Sequence, residues 1–291
     1  MAIDVTHKDT PLGRSLSRLL DESVDAVVHL GAAVLRAPRL ARAVDVVDEV
    51  ERAVERAAAR KVPLVVASTL AAVGRKKGLV AEEDPRNALF GGSGTRGRDI
   101  DVDAELRACR SAIEHAKATA SFADVRSRLA DETRTRLVDE GGATTGTAFQ
   151  RAFVYACARE ETGLCERALV ERAGGWQFAT GSSYATLGYA CALTELVAVR
   201  EAEKRDVAVA IARLPDVLDD VDVEAGALAW LVDLVRRGVV RIPVGSRARL
   251  EALPLVDVAH ALSLVVRGAS SSKQGGVVHV LTPEPLLGSR V

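Results

Sequence analysis

Residues 62–69 read Val-Pro-Leu-Val-Val-Ala-Ser-Thr, and this run is the strongest indication of the fold class. A valine-rich apolar run with a proline near its start is typical of a strand that is buried on both faces. Residues 25–30, Asp-Ala-Val-Val-His-Leu, form a similar run, and Gly31 after it favours a strand over a piece of buried helix. Between the two runs, apolar residues from Leu40 to Ala57 recur at three- and four-residue steps, as in an amphipathic helix. Strand, helix and strand in this order predict a βαβ unit with parallel strands.

The rest of the chain extends this unit into a layered fold with extra helices. Residues 82–101 are acidic and then glycine-rich, which is typical of a surface loop. Helical patterns cover three later ranges, 102–140, 147–172 and 226–237. We therefore predict an α/β fold with a long helical insertion. Four segments should share one mostly parallel sheet that helices cover on both faces, because these runs are apolar on both sides: 25–30, 64–68, 207–212 and 277–281.

Composition and charge exclude several classes of protein. The 291 residues carry 39 basic and 40 acidic side chains, so no general nucleic-acid footprint is expected. The sequence lacks a run of about 18 apolar residues that would predict a membrane-spanning helix, and its first ten residues lack the features of a signal peptide. The four cysteines form no CxxC pair and the five histidines show no ligand spacing, so we expect neither a disulfide scaffold nor a metal site. These features predict a cytoplasmic protein.

Several segments, in their order along the chain, carry a resemblance to a known family. They are Asp4-Val5-Thr6 with residues 19–34, residues 65–74 (Val-Val-Ala-Ser-Thr-Leu-Ala-Ala-Val-Gly), Gly175-Trp176, and residues 253–261 (Leu-Pro-Leu-Val-Asp-Val-Ala-His-Ala). Together they resemble the extended short-chain dehydrogenase/reductases, and most closely the fatty acyl-CoA and acyl-thioester reductases of the male-sterility type. The resemblance implies a partial, doubly wound Rossmann-like sheet. It divides the chain into a βαβ region at 1–84, a glycine-rich loop and helical insertion at 85–175, and the remaining strands with a substrate-side region at 176–291.

The resemblance also implies roles for individual residues. Thr69 occupies the position of the family's catalytic Ser or Thr, and Tyr184, or alternatively Tyr189, would be the tyrosine of its YxxxK motif. Asp4, Ala32 and Ala33 would lie beside an NADP or NAD cofactor, and the substrate would be an acyl thioester. In such a site a lysine lowers the tyrosine pKa from its ordinary value near 10, so that the tyrosine can act as a general acid.

Two departures from the family pattern bear on activity. The YxxxK motif lacks its cation, because Gly188 follows Tyr184 and Leu193 follows Tyr189 at the lysine position. The chain also begins at what resembles the family's third strand, without the first strand and its glycine-rich, pyrophosphate-binding turn. Residues 92–97, Gly-Ser-Gly-Thr-Arg-Gly, fit GxGxxG as text but lack the strand-turn-helix context. We therefore expect no NADP or NAD binding, or weak binding only.

Three functions remain open at this point. The first is a degenerate, non-catalytic reductase-like subunit or scaffold. The second is an NADP-dependent fatty acyl-CoA or acyl-thioester reductase whose nucleotide-binding turn is supplied outside this chain. The third is a helical interaction protein, which helices at residues 25–30 and 64–68 would favour.

The same departures lead to expectations about assembly and about the tyrosines. Without the first strand, residues 25–30 would form an open sheet edge, so we expect a homo-oligomer or a reductase-like protein partner that covers it. Outside a catalytic role, Thr69 would bond locally at the end of its strand. Tyr184 or Tyr189 would then be a packed aromatic residue, and the cysteines would be small apolar fillers.

Overall fold

The computed structural model describes residues 24–31, 40–73, 81–90, 95–175, 183–218, 249–250, 252–272, 275–282 and 286–287. Its strands are β1 (Val27–His29), β2 (Leu64–Thr69), β3 (Leu89–Phe90), β4 (Thr95–Arg96), β5 (Val209–Leu214), β6 (Asp216–Leu218), β7 (Arg249–Leu250), β8 (Ala252–Pro254), β9 (Gly276–His279) and β10 (Leu286–Leu287). Its helices are α1 (Leu40–Arg60), α2 (Val102–Ser121), α3 (Ala123–Asp139), α4 (Gly146–Gly175), α5 (Ser183–Lys204) and α6 (Leu255–Ser272).

The centre of the fold is a parallel sheet of four strands in the order β1-β2-β5-β9. Leu64 of β2 is in register with Val27 of β1 and with Val209 of β5, and β5 pairs with β9 from Ala210 onwards. The predicted α/β class is confirmed, and the four predicted segments supply these four strands. Residues 27–29 and 64–69 are strands, so the condition for a purely helical protein is not met.

Helices cover the two faces of this sheet, as predicted. Side chains alternate along a strand, so Leu64 and Val66 point to one face and Ala67 points to the other. The first face packs against α1 and α5 in one large apolar cluster that also contains Val209 and Ile211. The second face packs against α6, where Ala67 meets Val258. Both faces are apolar, which is why these strands read as continuous apolar runs.

The helical insertion differs in detail from its predicted bounds. The predicted helix 102–140 is two helices, because Phe122 adopts an extended conformation (φ −60°, ψ 143°) between α2 and α3. Asp101 caps α2 by accepting a hydrogen bond of 2.8 Å from the backbone N–H of Ala104. Helix α4 extends the predicted 147–172 by one residue at its start and three at its end. The predicted helix 226–237 lies outside the described residues.

The last turn of α5 carries a cluster of charges around Glu201. Its carboxylate lies 2.7 Å from Lys204 Nζ, 2.5 Å from Arg205 Nη1 and 2.9 Å from Arg200 Nη2. Partial burial would by itself raise the pKa of Glu201, but hydrogen bonds from Lys204 and Arg205 and the nearby charges lower it to about 2. The side chain is 10% exposed, so solvent screens these contacts only in part.

A depressed carboxyl pKa predicts a loss of stability in acid. The stabilisation from Glu201 is complete above its ordinary pKa of 4.5 and disappears as the pH falls towards about 2. We expect the free energy of unfolding to fall by about 2–3 kcal/mol more in the wild type than in Glu201→Gln over this range. Urea unfolding at a series of pH values measures the difference. Glu114→Gln, which breaks the exposed pair with Lys117, is the matched control and should follow the wild type.

Candidate functional site

Polar side chains meet at the carboxyl ends of three neighbouring strands. Ser68 of β2 is in register with Arg213 of β5, and Arg213 is in register with His279 of β9. Residues in register on neighbouring strands project to the same face of a sheet. Ser68 and Arg213 both bond to α5, which places all three side chains on the α5 side. In open α/β sheets, ligands bind beyond this end of the strands.

Helix α5 supplies the group that joins these strands. Arg213 donates from Nε to Oε1 of Glu195 at 3.0 Å and from Nη2 to Oε2 at 2.7 Å, the paired geometry that guanidinium and carboxylate favour. The Ser68 hydroxyl donates to the same Oε1 at 2.6 Å. The side chains of Arg213 and Glu195 are 3% and 0% exposed. This is a buried ion pair whose polar atoms are already engaged by protein groups.

His279 closes the network on the far strand. Arg213 Nη1 lies 3.2 Å from His279 Nε2, and because a guanidinium only donates, Nε2 is the acceptor and the ring is neutral. Partial burial and the Arg213 charge lower the pKa of His279, whereas Glu195 holds the pKa of Arg213 above its ordinary value against the effect of burial. The backbone N–H of His279 donates to Glu82 Oε1 at 2.6 Å. This hydrogen bond joins the loop at Glu82 to the end of β9.

The residue of α5 that lies at the end of β2 is Cys191, one turn before Glu195. Its thiol contacts the Ser68 hydroxyl and the backbone of Thr69, and the side chain is fully buried. Burial raises the pKa of the Cys191 thiol, as does the Glu195 charge. The thiol is therefore neutral and inaccessible, which fits the prediction of a small apolar filler.

Thr69 lies next to this network but takes no part in its hydrogen bonds through its hydroxyl. It follows Ser68 in the strand, so its side chain points to the opposite face, where its register partner Leu214 packs with Ala67. Its Oγ1 accepts a hydrogen bond of 3.3 Å from the backbone N–H of Ala71. This is the local bonding expected of a strand-end threonine, and a catalytic role for Thr69 stays a prediction.

Tyr189 lies in the core between α5 and the insertion. Its hydroxyl is 2.5 Å from Glu105 Oε1 and 3.1 Å from Cys109 Sγ, and Arg172 contacts the same carboxylate oxygen at 2.6 Å. Burial raises the pKa of Tyr189, and Cys109 and Glu105 raise it further. This direction is opposite to the one that the lysine of YxxxK produces. The hydroxyl points towards α2, so the structure does not bring it together with Thr69.

The remaining predicted site residues lie wholly or partly outside the described residues. Tyr184 belongs to α5, but its side chain is not described, and Asp4, Ala32 and Ala33 lie in undescribed segments. Of the three glycines in the GxGxxG match at residues 92–97, Gly97 is the one that is described, and it is buried directly after β4. A Cβ there would lie 2.1 Å from the carbonyl oxygen of Pro85 and 2.8 Å from Leu196. Close packing against the Pro85 backbone, and against Leu196 of α5, therefore explains the glycine without a phosphate.

Glu195 and Arg213 are the central residues that sequence reasoning missed. Each carries the only charge in an otherwise apolar run, residues 189–199 and 209–214. A charge in a buried helix or strand needs a partner, so these two interruptions were a usable signal. Their pairing depends on the register of α5 against β5, which the sequence does not give.

The described residues contain no group of three or more His, Cys, Asp or Glu that could hold a metal ion. Over the same part of the chain, each helix is too short or too polar to cross a membrane. Comparison of the sequence with protein-family models finds no matching family, and comparison with curated proteins finds no significant match.

Proposed function

We propose that this chain is a non-catalytic, reductase-like subunit that serves as a scaffold for a protein partner. One observation carries the proposal: the Glu195–Arg213 pair fills the carboxyl ends of β2, β5 and β9 with protein groups that are already bonded to one another. A ligand that entered here would have to break a buried ion pair, which costs several kcal/mol.

The surroundings of the hydroxyl groups support the same proposal. General acid catalysis by tyrosine at neutral pH needs a cation that lowers the tyrosine pKa. The residue of α5 beside Ser68 is Cys191, whose thiol is neutral. Arg213 is the positively charged side chain among the described residues at this site, and it is paired with Glu195. Tyr189 faces a carboxylate. These contacts of Cys191, Arg213 and Tyr189 support a non-catalytic role for the chain.

The first test is cofactor binding and turnover by the purified chain. We expect no saturable heat on calorimetric titration with NADPH, and no oxidation of NADPH at 340 nm when a long-chain acyl-CoA is added. A known acyl-CoA reductase provides the positive control for both measurements. Micromolar binding of NADPH by this chain alone would contradict the proposal.

The alternative function is an acyl-thioester reductase completed by another chain. The observation in its favour is that Ser68 and Thr69 stand at the end of β2, where the resemblance places a catalytic hydroxyl. In that case a partner would restore NADPH oxidation, and the near-isosteric Thr69→Val would abolish it. A non-catalytic subunit would show no turnover with either version of the chain.

The proposed partner would add a strand beside β1. The backbone N–H of Val27 donates to Pro63 at 2.9 Å, so the N–H and C=O of Val28 point away from β2. Val28→Pro removes that outward N–H and leaves the hydrogen bonds between β1 and β2 in place. In a pull-down with the tagged wild-type protein, we expect mass spectrometry to identify a reductase-like chain. We expect that chain to be absent when the tagged protein carries Val28→Pro. If the Val28→Pro variant recovered the partner as well as the wild type does, the partner would not dock beside β1.

A further inference from the structure

One face of α4 is exposed to solvent along most of its length. Phe149 and Phe153 turn towards α3, where Arg134 and Arg126 stack on their rings, and Cys165 is buried. Between these contacts runs a stripe whose members are three or four residues apart, which places them on one side of the helix. We call it the α4 stripe: Arg151, Tyr155, Ala158, Thr162 and Glu166, all exposed except the half-buried Thr162.

The stripe combines exposed apolar surface with two charges, Arg151 and Glu166, that form no ion pair with the described part of the chain. Tyr155 is 64% exposed and its neighbour Val154 is 66% exposed, and with Ala158 they line a shallow depression of about 460 Å³. Among the described residues, neither Arg151 nor Glu166 forms an ion pair. By contrast, ion pairs engage four arginines on the same helices: Arg128, Arg134, Arg136 and Arg172.

The order of side chains in the stripe is self-complementary. Arg151 and Glu166 lie at equal distances on either side of the midpoint between Ala158 and Arg159, and so do Tyr155 and Thr162. Arg151 and Glu166 are about 22 Å apart along the helix, too far to pair within one chain. In a two-fold contact, residue i meets residue j of the other copy, and j meets i.

We infer that two copies of this chain associate through their α4 stripes, antiparallel about a two-fold axis near Ala158 and Arg159. Each Arg151 then meets Glu166 of the other copy, which gives two reciprocal ion pairs. Tyr155 lies against Thr162, whose hydroxyl donates to the Ala158 carbonyl at 2.9 Å and keeps its oxygen free to accept. The contact does not involve the carboxyl ends of the sheet strands and does not depend on the proposed function.

A contact between two helices is smaller than a standard interface of about 800 Å² per partner, so we expect a weak dimer. Sedimentation equilibrium over a wide range of protein concentrations should show monomer and dimer in exchange. Arg151→Glu and Glu166→Arg should each raise the dissociation constant at least about tenfold, because each leaves two like-charged contacts. The double variant Arg151→Glu/Glu166→Arg should restore it to within about threefold of wild type.

Two further variants make the test specific. Arg167→Glu changes an exposed arginine that faces away from the stripe and should leave the dimer unchanged. In the dimer, Arg159 lies near Arg159 of the other copy at the two-fold axis, and the two positive charges repel each other. Arg159→Ala should therefore lower the dissociation constant. Circular dichroism shows whether each variant is folded. If a charge variant is not folded, Tyr155→Ala, which removes the contact with Thr162, is tested in its place and should also weaken the dimer. A wild-type protein that is monomeric at all concentrations would overturn the inference. So would a dimer whose dissociation constant the single charge reversals leave unchanged, or a double variant that does not regain the affinity of the wild type.

Discussion

Replacing Arg213 with alanine is expected to lower the free energy of unfolding by about 3–5 kcal/mol. The variant leaves the Glu195 carboxylate fully buried and still accepting the hydrogen bond from the Ser68 hydroxyl, but without its counter-charge, and an uncompensated buried charge is costly. Glu195→Gln should destabilise the protein in the same direction, because Arg213 then loses its counter-charge. Urea unfolding followed by circular dichroism measures both effects.

A double variant separates the loss of the pair from the loss of packing. In Glu195→Leu/Arg213→Met no buried charge remains, so we expect at least half of the lost stability to return. Arg128→Ala is the exposed control, since its pairs with Glu132 and Glu160 lie at the surface and should contribute less than about 1 kcal/mol. If Arg213→Ala proved as mild as Arg128→Ala, the pair would not hold this end of the sheet together.

The second large effect is expected at Tyr189. Tyr189→Ala removes a fully buried ring between α5 and α2 and should lower the free energy of unfolding by about 3–5 kcal/mol. Tyr189→Phe keeps the ring and removes the hydrogen bond to Glu105, which retains Arg172, so about 1 kcal/mol should be lost. Thermal unfolding of the two variants measures the contrast. Equal losses in both would mean that the hydroxyl contributes more than the ring.

The strands were predictable from the sequence because their apolar character depends on local residues. Residues 64–69 are buried on both faces of the sheet, and a continuous apolar run is the direct result. The run at 25–30 is a shorter strand, Val27–His29, because its outer residues are not paired with β2. The helical insertion was predictable for the same reason, except at Phe122, where an apolar residue that fits a helix instead separates two of them.

Helix α5 shows why the candidate site was not predictable. Its central residues are buried all round, from Tyr189 to Ala198, so they show no polar face and no helical period. The position of Glu195 against Arg213 depends on how this helix lies across the sheet, which is a tertiary property. The resemblance to the reductases therefore suggested Tyr189 as the alternative to Tyr184 for a catalytic role, whereas the Tyr189 hydroxyl faces Glu105 on α2.

The pairing of β2 with β5 has a consequence for the synthesis of this protein. About 140 residues separate the two strands, so a ribosome that adds about 5–20 residues per second completes β5 roughly 7–30 s after β2. The contacts within α2, α3 and α4 are local and can form during this interval. The edge of β2 that later pairs with β5 remains unpaired until β5 has been synthesised. Nascent chains that stop before residue 209 would therefore expose an apolar strand edge, and they are the form of this protein that most needs a chaperone.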